Sequence, residues 1–282
     1  MHHTARLLLA SLLLLTACAA GAAERLMVFA GAAAKPPLEA AARAFTRRTG
    51  VAVDLVLGGS GYVLAQMKLG RRGDIYLPGS SDYMEKAKRE GLVRPETERV
   101  LVYLVPAINV QPGNPRGIHR LADLARPGLK VAIANPEGVC VGAYAVEIFE
   151  KHLTPAQRAG LRRNLINYTG SCAKTANAIA LRQVDAVLGW RVFQHWNPRR
   201  IETVPLPAAQ VERVGYIPVA VSRFSARPAL AQRFIDFLSG PEGQAIFARY
   251  HYFPTAEAAF AWLGAEKPVG GEYVVPADWL GR

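Results

Sequence analysis

From Arg25 onward, short apolar runs alternate with amphipathic runs that carry helix start and stop signals, and this alternation restricts the fold more than any other feature. RLMVFAG (Arg25–Gly31), VAVDLVLG (Val51–Gly58) and DIYLPGS (Asp74–Ser80) read as strands. Between and after them, PPLEAAARAFTRRTG (Pro36–Gly50), SGYVLAQMKLGRRG (Ser60–Gly73) and SDYMEKAKREG (Ser81–Gly91) read as helices. The first opens on proline and closes on glycine, as a helix that starts and stops cleanly should. Strands joined through helices run parallel, because the crossover returns the chain to the same end of the sheet. The expected class is α/β, with a mainly parallel sheet flanked by helices.

A second series follows. RVLVYLVPAINV (Arg99–Val110) is a long apolar strand interrupted by Pro106, and LADLA (Leu121–Ala125) is a short helix. Strands are expected over Leu129–Glu137, Asn164–Gly170, Val184–Trp190, Ile201–Pro207 and Val214–Ser222. Helices are expected over Gly142–His152, Ala173–Arg182, Arg227–Gly240 and Pro241–Tyr252. Two α/β lobes joined by long strands enclose a cleft. In open parallel sheets, ligands lie beyond the carboxyl ends of the strands, where helix N-termini point.

Four strand-to-helix junctions stand out: FAGAAAKPP, LGGSGYVL, NPEGVCVGAYA and TGSCAKTAN. All are built from small residues, which let a ligand approach backbone N–H groups closely. Those N–H groups have no partner inside the helix and attract anions. Small residues also make tight turns with no ligand involved, but four such junctions at corresponding places in two lobes favour anion binding. Lys35 in the first junction either neutralises an anion or covers the surface.

The formal charge of +12 is strongly basic, yet Arg and Lys are scattered in short pairs such as Arg47-Arg48 and Arg199-Arg200. Without a basic arm, zinc-finger spacing or stacking platform, nucleic acid is not expected as a partner. His119, His152, His195 and His251 show no metal-ligand spacing, LGGSG lacks the strand–elbow pattern of a hydrolase, and GSGYVLAQ lacks the third glycine of a dinucleotide fingerprint. No enzyme, metal or cofactor is expected.

Residues 1–23 read as an export signal, with Arg6 in a basic start and an apolar stretch from Leu7 to Ala17 too short to span a bilayer. Two cleavage readings stand side by side. LTAC (Leu15–Cys18) resembles a bacterial lipoprotein signal, in which Cys18 is lipidated, whereas GAAE suits cutting after Ala23. The mature chain then lies outside the cytoplasm with two cysteines, Cys140 and Cys172, each just ahead of an expected helix.

In their order along the chain, these motifs resemble the periplasmic solute-binding proteins of ABC importers, specifically the molybdate/tungstate-binding group. VFAGAAA resembles that family's first-strand turn, GGSGYVLAQM its second motif, and GDIYLPGSSDYM its third strand and turn. NPEGVCVGAYA is similar to its DPE loop, VDAVLGW to the strand that ends in a pocket-lining aromatic, and YIPVAV to its return crossover strand. The likeness covers roughly Leu26–Thr255 and implies a two-lobed type II binding-protein fold with two hinge crossovers. Its lobes would be 24–103 with 217–282, and 104–216.

The resemblance implies a monomeric periplasmic protein that captures a small oxyanion in the cleft and delivers it to an ABC permease. Its only membrane contact would be the lipid anchor, if Cys18 carries one. The donors it implies are the Ser60 hydroxyl and backbone N–H groups near Gly31, Ala33, Gly61, Ser80, Cys140, Val141, Gly142 and Cys172, with Trp190 and Tyr216 lining the pocket. Ala33 stands where the family places a serine, and Trp190 where it places a tyrosine. These departures admit a small organic anion or another oxyanion, and a sensory role without transport is a further alternative. On the family's fold the Cys140 and Cys172 junctions adjoin one cleft wall, which implies a disulfide in an oxidising compartment. Ligation of a soft metal by the two sulfurs and two unpaired small residues are the other readings.

Overall fold

The computed structural model describes residues 24–280, so the export segment and Cys18 lie outside the described residues. The first lobe begins β1 (Arg25–Gly31), α1 (Lys35–Thr49), β2 (Ala52–Gly58), α2 (Ser60–Gly70), β3 (Ile75–Leu77), α3 (Ser81–Arg89) and β4 (Arg99–Leu104). Proline in the first turn of α1 costs no internal hydrogen bond, because those N–H groups have no intrahelical partner. At its end Gly50 turns left-handed (φ 74°) and returns its N–H to the Thr46 carbonyl. Leu38, Ala41 and Phe45 on one face of α1 pack into the core.

The second lobe holds β5 (Pro106–Val110), β6 (Val131–Ala134), α4 (Cys140–His152), α5 (Pro155–Asn164), β7 (Leu165–Thr169), α6 (Cys172–Ala180), β8 (Ala186–Trp190), α7 (Phe193–Trp196) and β9 (Glu202–Val204). The chain then returns through β10 (Gly215–Val221), α8 (Pro228–Ser239), α9 (Pro241–Ala248) and α10 (Ala256–Leu263).

Each sheet has five strands, ordered β2-β1-β3-β10-β4 and β7-β6-β8-β5-β9. In the first, β1 pairs in parallel with β2 and β3, while β10 runs against β3 and β4. In the second, β6 pairs in parallel with β7 and β8, while β5 runs against β8 and β9. One strand per sheet is therefore reversed, and in each case it is the strand that has just crossed from the other lobe. The run Arg99–Val110 is two strands, not one: the chain leaves the first sheet after Leu104 and enters the second at Pro106. Proline suits a strand's first residue, where no ladder N–H is required. The second crossover lies between β9 and β10.

Helices α5, α7 and α10 were not expected from the sequence. Helix α5 starts in a capping box, where Thr154 accepts from the Gln157 N–H and Gln157 reaches back to the Thr154 N–H. The tail forms α10 and then crosses to the second lobe rather than staying with the first. Trp279 is 1% exposed, stacks on Phe149 at 5.8 Å and donates Nε1–H to Glu150 at 2.7 Å. The Arg162 guanidinium lies 4.1 Å over its ring. On the way, Glu272 pairs with Arg89 of α3 (2.7 Å), and Val214 at the second crossover exchanges backbone hydrogen bonds with Pro268 and Gly270. The tail thus touches both lobes and the hinge.

Candidate functional site

The carboxyl ends of β1, β2, β3, β6, β7 and β8 face one cleft, with the first turns of α2, α3, α4 and α6 beside them. The cleft is closed. A single apolar cluster runs through it, joining Ala33 and Leu77 of the first lobe to Cys140, Val141, Tyr144, Cys172 and Trp190 of the second. The lobes also bond directly: the Gly61 N–H donates to the Gly138 carbonyl (3.0 Å), Tyr83 Oη to the Glu137 carbonyl (3.1 Å), and Asn135 Nδ2 to Tyr62 Oη (3.1 Å).

Ser60, the first residue of α2, is buried, and its Oγ accepts from the Gly79 N–H at 2.9 Å. Gly31 makes this possible, since a Cβ there would stand 2.5 Å from Gly79 N and 2.7 Å from Ser60 Oγ. Gly79 in turn leaves room for the Cys140 sulfur and the Ala33 methyl, each of which would lie 2.8 Å from a Cβ at that position. Gly31, Ala33, Ser60, Gly79 and Cys140 therefore meet at one point, drawn from four junctions of both lobes. Gly142 serves packing: its Cβ would strike the Ala134 carbonyl at 2.4 Å.

The two cysteines are free, buried thiols, so the expected disulfide is not formed. They lie against each other, with the Val141 backbone beside the Cys172 sulfur. The contact with Cys140 and then burial push the Cys172 thiol well above its usual pKa. That holds it protonated, the form that does not attack or cross-link. Trp190 Nε1 has no oxygen or nitrogen partner and faces the same sulfur. Tyr144 meets Trp190 edge-on, ring centroids 4.9 Å apart. Among the described residues no group of three or more His, Cys, Asp or Glu is placed to hold a metal ion.

The remaining expected residues divide. Lys35 forms an ion pair with Glu39 on its own helix (3.3 Å) and is partly exposed. Ala33 is buried, and its carbonyl accepts from Tyr252 Oη at 2.5 Å. Ser80 Oγ is turned to the Asp82 carboxylate. Tyr216 lies against Ser81 and, at 6.2 Å, Tyr103. Sequence reasoning passed over Gly79, Tyr144 and Arg213, and took Asp82 for a helix cap or a solvated position. The LPGSSD stretch was read as a strand and turn, although it is another small-residue helix start, and nothing local marks Arg213.

Beside the first crossover, the His195 ring stacks on His251 at 3.8 Å, and Arg191 donates Nη2–H to the His251 carbonyl. Burial, then the neighbouring His251 and Arg191, push the His195 pKa down from 6.5 to about 4. A depressed histidine pKa means the folded state favours the neutral ring. This contribution is complete above the unfolded value and is lost as pH falls from 6.5 toward about 4. Thermal unfolding at stepped pH should therefore show wild type losing more melting temperature across that window than His195→Gln. Parallel curves would mean that His195 does not sense pH.

A model of the family described as bacterial extracellular solute-binding protein matches residues 26–253. A putative binding protein of Haemophilus influenzae is 28% identical over 232 residues, covering 80% of this chain and 90% of that one. The molybdate-binding protein ModA of Rhodobacter capsulatus is 27% identical over 222 residues, covering 74% and 80%. Among solved structures, the periplasmic molybdate-binding protein of Azotobacter vinelandii superposes with a TM-score of 0.69 at 21% identity, covering 80% of this chain and 98% of that one.

Proposed function

The chain belongs to the bacterial extracellular solute-binding proteins, and we propose that it captures a small tetrahedral oxyanion, of the molybdate or tungstate kind, between its lobes for delivery to an ABC permease. The observation that carries this reading is the meeting of Gly31, Ala33, Ser60, Gly79 and Cys140 at one buried point between helix starts. The molybdate-binding relative supports it from outside the structure. Helix dipoles and charge-assisted hydrogen bonds can hold a dianion without a cationic side chain.

In the closed cleft two of these donors are occupied internally: Gly79 N–H on Ser60 Oγ, and Gly61 N–H on the Gly138 carbonyl. A ligand would exchange these neutral contacts for stronger bonds to its anionic oxygens, so capture requires the lobes to part and close again around it. The Ser60 hydroxyl would rotate from acceptor to donor. Exported, the loaded protein would dock on the permease as a monomer, and the lipid anchor at Cys18 remains part of the proposal.

Calorimetry over molybdate, tungstate, sulfate and phosphate tests this. At least one should bind, and Ser60→Ala should weaken it by about 1.5–3 kcal/mol, roughly 10- to 100-fold in Kd. Silence across the whole panel would end the reading of a bare oxyanion as the ligand.

A further inference from the structure

Two buried donors beside the cleft have no partner, and oxyanion capture does not use them. Tyr144 Oη and Arg213 Nη2 belong to residues 1% and 6% exposed, and neither atom makes a hydrogen bond. The Arg213 guanidinium lies 3.9 Å over the Tyr144 ring. Its other nitrogens are committed: Nε donates to Glu147 (2.7 Å), and Nη1 to the Gly270 carbonyl (3.3 Å) and to Gly271. Buried donors are nearly always paired, so two side by side point to a missing acceptor.

The pair adjoins the oxyanion donors. Tyr144 is one helical turn beyond Cys140 on α4 and touches Trp190. Gly215 faces both: a Cβ there would lie 3.2 Å from Tyr144 Oη and 2.9 Å from Trp190 Cη2. From the first lobe, the start of α3 reaches the same place: a Cβ on Gly270, whose carbonyl accepts from Arg213 Nη1, would lie 2.8 Å from Ser81 Oγ, and the charge of the adjoining Asp82 acts on both Tyr144 and Arg213. Ser80 uses one of the Asp82 oxygens, which leaves acceptor capacity on the carboxylate.

The charges decide what fits. Glu147 already matches the Arg213 charge, and Asp82 opposes a second anion. Two unpartnered donors in the field of a carboxylate suit a group that both accepts and donates, which is a hydroxyl. Of the tetrahedral oxyanions, phosphoryl and sulfonyl groups stay bonded to a carbon chain in water.

We propose that Tyr144, Arg213 and Asp82 form a hydroxyl-recognising subsite beside the oxyanion donors, and that the ligand is a phosphate ester or sulfonate on a short hydroxylated chain. This rests on the oxyanion reading and narrows it from a bare ion to one carrying a chain.

Calorimetry on the exported protein with two matched pairs tests it: glycerol 3-phosphate against propyl phosphate, and 2,3-dihydroxypropanesulfonate against propanesulfonate. In at least one pair the hydroxylated member should bind about tenfold tighter, the worth of roughly one good hydrogen bond. Tyr144→Phe and Asp82→Asn should each cut that ratio to about twofold or less, a readout that loss of packing alone would not move. Equal affinities within both pairs, or a ratio that survives both substitutions, overturns the subsite. Binding of a bare oxyanion with no gain from the hydroxyls overturns the subsite and leaves the oxyanion reading standing. No binding of either pair or of any bare oxyanion overturns both.

Discussion

Gly59→Ala should leave both lobes folded and stop them closing. Gly59 has φ −67° and ψ 143°, a conformation open to alanine, so the backbone is not strained. Its Cβ, however, would stand 2.6 Å from the Gly138 carbonyl oxygen and 2.8 Å from Val139 Cγ2, both on the opposite lobe. The remaining contact, Tyr62 Cδ2 at 2.8 Å, is on the same lobe and belongs to a side chain that can turn. Relief comes from holding the lobes apart, which breaks the Gly61–Gly138 hydrogen bond. Overpacking of this kind costs about 1–3 kcal/mol. Charged against closure, that is roughly a 5- to 100-fold loss of affinity for whichever oxyanion binds. The melting temperature without ligand should change little. Small-angle scattering with saturating ligand should show a larger radius for the variant than for wild type. Wild-type affinity combined with a wild-type radius would show that this contact does not gate closure.

Trp279→Ala should be the most destabilising single truncation in the tail. The ring is buried against Phe149, bonded to Glu150 and covered by Arg162. Emptying such a site costs about 3–5 kcal/mol. In a chain of this size that corresponds to a melting temperature lower by roughly 10 °C. The loss should appear in the second lobe, because that is where the ring packs, and hydrogen exchange should rise in α4 and α5. A drop of only about 2 °C, with exchange unchanged in those helices, would mean that the tail merely rests on the surface.

The alternation of apolar and amphipathic runs was enough to read the α/β class, because strand and helix periodicities are local properties of the chain. The Ser60 and Cys140 junctions were legible for the same reason: small residues at a helix start are visible in a few letters. Their consequences were not. Gly31 is needed because Gly79 and Ser60, far along the sequence, come within a Cβ's reach of it. Helix α5 was announced by Thr154 and Gln157 at capping-box spacing, yet its mean composition is so polar that no apolar stripe drew attention to it. Arg213 stands alone in sequence, and only folding brings it over Tyr144 and within the field of Asp82.

The cysteines separate the two kinds of information. Their places at the starts of α4 and α6 follow from the sequence, as does their approach on one cleft wall once the family's fold is recognised. Whether the sulfurs join or only touch depends on sub-ångström placement by two helices and on what else meets each sulfur. Here Val141, Trp190 and the space over Gly79 surround them as two free, buried thiols. Likewise, the sequence set which segments become strands and helices and which helix starts carry small residues, because those depend on neighbours a few positions apart. Which lobe receives the tail, which donors are already paired in the closed cleft, and which are left for a ligand were decided by contacts between residues tens to hundreds of positions apart. No local periodicity encodes those contacts.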